Sequence, residues 1–319
     1  MRPDLDVTVV GSVNVDLVAT VAALPLPGET VPALDYAQFI GGKGSNQAIA
    51  AARLGRAVAF VGLVGDDREG TAVRGALAAE GVDVTYLEVC EGVPTGRAIV
   101  LVDGTAENSI VVVGGANQSL GPRHIEAAGE VVRRARVVVS QLEIPLDAVS
   151  AAARTCEGTF ILNPAPARSL PRELLDLVDV LVVNEVEYEA VTGAALPDDV
   201  DDLERAVREP GMPPGVVVTL GARGAYVWDG EQVAHVAAPR VKVVDTTGAG
   251  DTFIGALADA LSRGEELRSA VQWAVRAGAA AVRSLGATTG MPTPEQVQAL
   301  TADQHEHAPE GEEDVRTPR

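Results

Sequence analysis

The sequence predicts a doubly wound α/β fold: a mainly parallel β-sheet with helices on both faces, and a small β-sheet projecting from it. Three observations predict it. Short β-branched runs, nearly all apolar, recur along the chain. Helical patterns alternate with them, and two segments of strand character break the alternation.

The apolar runs are Val7–Val10, Ala59–Val64, Val137–Leu142, Phe160–Leu162, Val180–Val183 and Val216–Leu220. A strand that is apolar at every position is buried on both faces, which requires helices above and below the sheet. Helical spacing is read over Ser45–Leu54, Thr71–Glu80, Pro122–Arg134, Leu146–Thr155 and Val200–Arg208. The segments that break the rhythm are Val13–Ile40, with "LPLPGETV" and no good helix, and Thr95–Val113, two strands about a turn at Asp103-Gly104. They are expected as lid segments, approximately 13–40 and 95–113, inserted in one large domain spanning 1–302. An ordinary edge hairpin is the alternative. Residues 303–319 are polar, acidic and Pro-containing and read as a disordered tail.

The bulk properties narrow the function classes. The chain has 319 residues, 47% hydrophobic, enough for a sizeable core. Its formal charge of −20 disfavours nucleic acid and anionic membranes as partners. Lysine occurs only as Lys43 and Lys242, so an anionic ligand must find its positive potential in backbone amides, a metal ion or very few side chains. Cys90 and Cys156 form no C-x-x-C pair, and His305 and His307 read as solvated tail residues. No signal peptide and no apolar run of membrane-spanning length is read, so a cytoplasmic location is expected.

In such sheets ligands bind beyond the carboxyl ends of the strands, so the loops after strands are the places to search. "VDTTGAGDTF" (244–253) sets Gly248-Ala249-Gly250 and Asp251 just before the apolar helical run Ile254–Leu261. Amides at a helix N-terminus are unpaired and carry positive dipole character, and glycines let a ligand approach. The arrangement is an anion cradle. Asp251 is then either a simple cap or a general base beside a transferring anion. "FIGGKGSNQAIAAARLG" places Gly41, Gly42 and Gly44 around Lys43, with Asn46 and Gln47 opening an Ala-rich helix. It lacks the P-loop spacing, and no G-x-G-x-x-G follows the first strand. In "GSVNVDL", Asn14 and Asp16 share one strand face and suit a polyhydroxylated ligand.

These pieces, in this order, resemble the ribokinase branch of the PfkB carbohydrate-kinase family. The matching stretches include "PGETV", "GGKGSNQAIAAARLG", "ENSIVVVGGAN", "SQLEIP", "LNPAPA", "NEVEYEAVTG", "VTLGARGAY", "DTTGAGDTFIGAL" and "SLGATTGMPT". The resemblance implies a ribokinase-like fold and transfer of the ATP γ-phosphoryl group to O5 of D-ribose. It implies Asp251 as base and the amides of Gly248, Ala249 and Gly250 as anion hole. It assigns the sugar to Asn14, Asp16, Gly42, Lys43, Asn46, Glu143 and Asp251, and the nucleotide to Asn184, Thr219, Gly221, Gly224 and Gly250. Mg²⁺ would be met by Glu187 with Asn184 through water, for which a helix-capping box is the structural alternative. K⁺ would be met by Asp245, Thr247, Ala281, Ser284, Gly286 and Gly290. A homodimer joined through the lid is the expected assembly. Val275 departs from the Asn or His that relatives often carry near the nucleotide. The alternatives are a family member acting on deoxyribose, fructose or a nucleoside, and a sugar- or nucleotide-binding protein without turnover. A dinucleotide-dependent dehydrogenase is disfavoured by the missing fingerprint.

Overall fold

The computed structural model describes residues 5–104, 108–197 and 199–302. The tail read over 303–319 lies outside them. Thirteen strands are placed among the described residues: β1 (Val7–Val10), β2 (Asn14–Val21), β3 (Ala33–Gly41), β4 (Val58–Gly65), β5 (Asp83–Cys90), β6 (Gly96–Val102), β7 (Asn108–Val113), β8 (Val137–Ser140), β9 (Thr159–Leu162), β10 (Val180–Asn184), β11 (Gly215–Thr219), β12 (Ala225–Trp228) and β13 (Val233–Val236). The α-helices are α1 (Lys43–Arg53), α2 (Arg68–Ala79), α3 (Pro122–Ala127), α4 (Gly129–Arg134), α5 (Leu146–Thr155), α6 (Arg172–Leu175), α7 (Glu185–Thr192), α8 (Val200–Val207), α9 (Ala249–Ser262), α10 (Leu267–Ala281) and α11 (Pro294–Ala302).

The large sheet has the order β13-β12-β11-β10-β9-β8-β1-β4-β5. It is parallel from β5 to β11, and β12 and β13 close it antiparallel. Strand order reverses at β1, which pairs with β4 on one side and β8 on the other. That is the switch point where a crevice opens past the carboxyl ends. Period-two alternation splits the apolar strands into two cores. Val7, Val9, Val137, Val139, Val182 and Val217 pack on the side of α1, α9 and α10. Val10, Val138, Phe160, Leu162, Leu181 and Val218 pack on the side of α5 and α8.

Pro122–Arg134, read as one helix, is two, broken at Ala128, whose backbone (φ −88, ψ 9) leaves the helical region just before Gly129. The two rhythm-breaking segments form a separate four-stranded sheet, β3-β2-β6-β7. Its centre is a parallel pairing of Asn14–Thr20 with Gly96–Val102, so the two insertions are joined to each other and not folded as independent hairpins. One end of this sheet is rooted at the switch point: Asn14 pairs with both Gly41 and Gly96.

Candidate active site

The site begins with a close helix crossing. α1 is rich in alanine, and α9 carries Gly255 where it meets α1. A Cβ on Gly255 would lie 2.5 Å from the Ala50 Cβ and 2.8 Å from the Gln47 carbonyl oxygen. Small residues let the two backbones approach, and this brings polar side chains at the start of α1 onto the first turn of α9. Asn46 Nδ2 donates to Asp251 Oδ2 at 2.9 Å, and Gln47 Nε2 donates to Asp251 Oδ1 at 3.0 Å. Each carboxylate oxygen receives one amide donor, which fixes the rotamer and favours the ionised form.

Asp251 is 9% exposed and lines a cavity of about 160 Å³ with Lys43, Asn163, Asn184, Glu187, Thr219, Gly248 and Gly250. Burial pushes its carboxyl above the ordinary carboxylate range, opposed by Lys43, Asn46 and Gln47. Burial also works against the Lys43 ammonium, but Asp251, Glu143 and Glu187 together hold its pKa above the usual lysine value. One lysine thus compensates several acids, and further positive potential must come from elsewhere. The N-terminus of α9 supplies part of it. Gly248 is its N-cap, in the left-handed region (φ 75), and gives no side-chain cap. A Cβ there would lie 2.8 Å from the Ala287 Cα, so glycine is required for both the dihedral and the space. The Ala249 amide is committed to the Thr246 carbonyl at 3.2 Å, while Gly250 faces the cavity.

Beside this lies the start of β2. Asn14 is buried, and its Oδ1 accepts from Asn117 Nδ2 at 2.8 Å. Burial, then the charges of Glu143 and Asp251, push the Asp16 carboxyl up to about 6. Gly42 is the N-cap of α1 and has no side chain to cap it. Glu143 fills that role from beyond β8: its Oε2 accepts from the Lys43 amide at 3.0 Å and from Ser12 Oγ at 2.5 Å. Asn46 Oδ1 is buried without a partner, an acceptor aimed at no protein donor. Such an orphan in a polar crevice fits a ligand hydroxyl.

On the opposite wall, Asn184 and Glu187 form the reciprocal capping box anticipated as an alternative. Asn184 Oδ1 accepts from the Glu187 amide at 2.8 Å, and Glu187 Oε2 accepts from the Asn184 amide at 2.9 Å. Asn163 Nδ2 also donates to Glu187 Oε2, at 3.3 Å. Both bonds fall on one oxygen, leaving Glu187 Oε1 for another partner. Burial raises the Glu187 pKa against these donors and Lys43. Hard oxygen donors of this kind fit Mg²⁺ held through water. Among the described residues no group of three or more His, Cys, Asp or Glu is arranged to hold a metal by itself, so further ligands would have to come from substrate oxygens and water. Thr219 lines the cavity, whereas Gly221 and Gly224 flank the turn after β11 and do not. Val275 is buried in the core at 5% exposure.

The residues expected around K⁺ share one loop system. Asp245 Oδ1 accepts from the Thr247 amide at 2.9 Å and from Thr247 Oγ1 at 2.7 Å, and its Oδ2 accepts from the Gly286 amide at 2.8 Å. Burial opposes the charge, but these donors hold the Asp245 pKa below its usual value. The Ser284 amide reaches the Ala281 carbonyl at 3.3 Å. A Cβ on Gly290 would lie 2.6 Å from the Ala281 carbonyl oxygen and 3.2 Å from that of Gly286. Carbonyl oxygens converging where a side chain is missing fit a hard monovalent cation. The loop abuts the anion cradle through Ala287 and Gly248.

The reading of the sequence missed Gln47, Gln141, Ser12, Asn117 and Asn163 as members of the site. Gln47 was visible as a polar residue opening an otherwise apolar helix. The others stand inside stretches quoted for the resemblance or for their strand pattern, but nothing local marks them as members of the site, because their partners are distant in the chain.

Comparisons with known proteins identify the family and the fold. The family described as "pfkB family carbohydrate kinase" matches residues 4–294. A ribokinase of Bacillus subtilis is 40% identical over 299 residues, covering 92% of this chain and 99% of that protein. A deoxyribokinase of Salmonella typhi is 36% identical over 299 residues, covering 92% and 97%. The structure of Arabidopsis thaliana ribokinase complexed with ribose and ATP superposes with a TM-score of 0.85 at 34% identity, covering 93% of this chain and 98% of that one. An acid held at an uncapped, glycine-built helix mouth, in a chain whose family match spans residues 4–294 and whose fold is shared over 93% of its length with a ribokinase, leaves one conclusion: the chain belongs to the PfkB family of carbohydrate kinases.

Proposed function

We propose that the protein transfers the γ-phosphoryl group of ATP to O5 of D-ribose, giving ribose 5-phosphate and ADP. The observation that carries the reading is Asp251, buried at the open N-terminus of α9 and held by two amide donors inside a cavity shared with Lys43. Relatives named ribokinase, and a related structure holding ribose and ATP, support the choice of substrates.

Phosphoryl transfer is mainly positioning and charge stabilisation. Asp251 accepts the proton of the sugar hydroxyl as its oxygen attacks phosphorus. Amides at the mouth of α9, those of Gly248 and Gly250 and that of Ala249 once it is released from the Thr246 carbonyl, stabilise charge on the moving phosphoryl oxygens. Lys43 keeps the neighbouring acids from repelling the triphosphate. Asn14, Asp16, Gly42, Lys43, Asn46 and Glu143 hold the sugar. The unpartnered Asn46 Oδ1 accepts from a hydroxyl, and the carboxylates grip paired hydroxyls. Asn184, Thr219, Gly221 and Gly224 line the nucleotide. Glu187 and Asn184 hold Mg²⁺ through water, which when bound neutralises phosphate charge. Asp245, Thr247, Ala281, Ser284, Gly286 and Gly290 surround K⁺, which when bound orders the loop beside the cradle.

The four-stranded sheet acts as a lid inserted in the kinase unit, and its exposed apolar side chains join two chains into a homodimer. Phe39, Ile110 and Val112, on the face that carries Asp16, are 45%, 56% and 54% exposed, and Tyr36, on the other face, is 57% exposed. No helix among the described residues is long and apolar enough to cross a membrane, and the cytoplasm is the proposed location.

The test is a panel of ribose, 2-deoxyribose, fructose and adenosine with ATP and Mg²⁺, run with and without K⁺. The expected result is the highest kcat/KM on ribose, raised by K⁺. Preference for 2-deoxyribose would transfer the assignment to the activity of the Salmonella relative.

A further inference from the structure

Two buried amides stand in series behind Asp251, and neither lines the cavity. Gln47 on α1 and Gln141 just beyond β8 are both 0% exposed. Gln141 Nε2 donates to Gln47 Oε1 at 2.5 Å, and Gln47 Nε2 donates to Asp251 Oδ1 at 3.0 Å. The chain of donors runs one way, toward the carboxylate. At its far end Gln141 Oε1 is buried with no hydrogen-bond partner. It lies against Gly11, where an added Cβ would come within 2.3 Å of it.

The geometry points to Gln141 as a positioning residue for the transfer reaction: its N–H sets the direction of the Gln47 amide, so that Gln47 presents a donor and not a carbonyl to Asp251. The inference rests on the kinase reading. A glutamine amide has one donor end and one acceptor end of nearly the same shape, so its neighbours decide which way it points. Turned over, Gln47 would place an oxygen against an oxygen of Asp251. The carboxylate would then have to take up a proton or rotate away from its productive geometry. Gln141 opposes that reversal, because its own N–H needs the Gln47 oxygen.

The other groups facing Asp251 do not share this duty. Lys43 and Asn46 approach from α1, Glu143 from the segment after β8, Asp16 from β2 and Glu187 from α7. Asn46 also donates to Asp251, but its oxygen is unpartnered and nothing behind it holds its orientation. Only Gln47 is locked from the side away from the cavity. The orphaned Gln141 oxygen sharpens the point. A buried acceptor without a partner costs stability, and an apolar side chain of the same length would only move that cost to the Gln47 oxygen, which Gln141 serves. On stability the amide therefore gains little over an apolar side chain, whereas its donor end has a use in the site.

The test compares Gln141→Met, Gln47→Met and the double variant in the full chain, with ATP and D-ribose. Gln141→Met is expected to lower kcat about 10- to 100-fold, with the sugar KM within threefold of wild type and Tm little changed, since one buried unpartnered oxygen replaces another. Gln47→Met should lower kcat at least as far, and the double variant no further than Gln47→Met alone, because Gln141 acts through Gln47. If Gln141→Met does not fold, Gln141→Asn keeps an amide in the core but withdraws it by one methylene, and the same kcat loss is expected. Wild-type kcat in either Gln141 variant, multiplicative losses in the double variant, or a lower Tm with unchanged kcat would each overturn the proposal. Failure of the kinase reading is distinguishable, since the wild-type chain would then form no ADP in response to ribose.

Discussion

Two helix N-termini open on the same cavity, and they are finished in opposite ways. α7 is closed: Asn184 and Glu187 exchange backbone and side-chain bonds, so the amides of Asn184 and Glu187 are satisfied within the chain. α9 is left open: its N-cap is Gly248, and no side chain covers its first turn. Both ends carry the same dipole and the same kind of unpaired amides. The difference shows that capping is a choice between uses. Closing the end contributes stability to the fold. Leaving it open keeps amides available for an anion, and the acid that would ordinarily cap such a helix, Asp251, is drawn sideways onto Asn46 and Gln47.

Substitutions at the two ends should therefore separate activity from stability. The largest effect is expected from Asp251→Asn. Its kcat should fall by about 10²–10⁴-fold while calorimetry shows sugar binding retained. Its Tm should not fall at neutral pH, because the folded state no longer buries a charge whose pKa it raises. A variant within threefold of wild-type kcat would remove the base from the mechanism. Gly248→Ala comes next. It forces a side chain onto φ 75 and against Ala287, and kcat should fall about 10²–10³-fold, measured with saturating ribose.

A pH series probes a group belonging to neither helix end. Asp16 has its pKa raised to about 6, so it loses acceptor capacity as pH falls through that value. The sugar KM should rise up to about tenfold per unit below about pH 6, and Asp16→Asn should abolish this dependence. The stability sign is the reverse. A carboxyl with a raised folded pKa stabilises the unliganded fold while protonated, and that contribution is lost as pH rises from about 4 to 6. Asp16→Asn should therefore melt higher than wild type at pH 7.5. The smallest effect belongs to the closed end. Asn184→Ala should cost about 1 kcal/mol, read as a fall in Tm of roughly 2–4 °C, with a smaller loss of kcat than Gly248→Ala. A larger kcat loss would mean that the nucleotide and Mg²⁺ contacts proposed for Asn184 matter more to transfer than the open end of α9 does.

The contrast between the two ends was largely legible in the sequence. Gly248-Ala249-Gly250 followed by an acid, and Asn184 followed three residues on by Glu187, are local patterns with local physics. The central strands were legible because burial on both faces leaves them no polar positions. What stayed hidden depends on distant partners or mixed faces. β5 is an edge strand with most side chains partly or fully exposed, and its sequence, DVTYLEVC, reads as neither period. α10 is alanine-rich and buried around most of its circumference, which erases the polar stripe that marks a surface helix. The bond from Gln141 to Gln47 joins residues 94 apart in the chain. Nothing in "SQLEIP" announces it.

The parallel pairing of β2 with β6 has a mechanical consequence. The rows that would touch the sugar, at Asn14 and Asp16, lie at the root of the small sheet, beside Gly41, Phe39, Gly96 and Ala98. From Asn14 the paired strands run out to Thr20 and Val102, roughly 20 Å at the usual rise per residue. The sheet is thus a lever with its fulcrum at the ligand: a tilt of about 10° at the root sweeps the far end through roughly 3–4 Å. A hydroxyl gripped at the pivot would be felt most at the far end of the sheet.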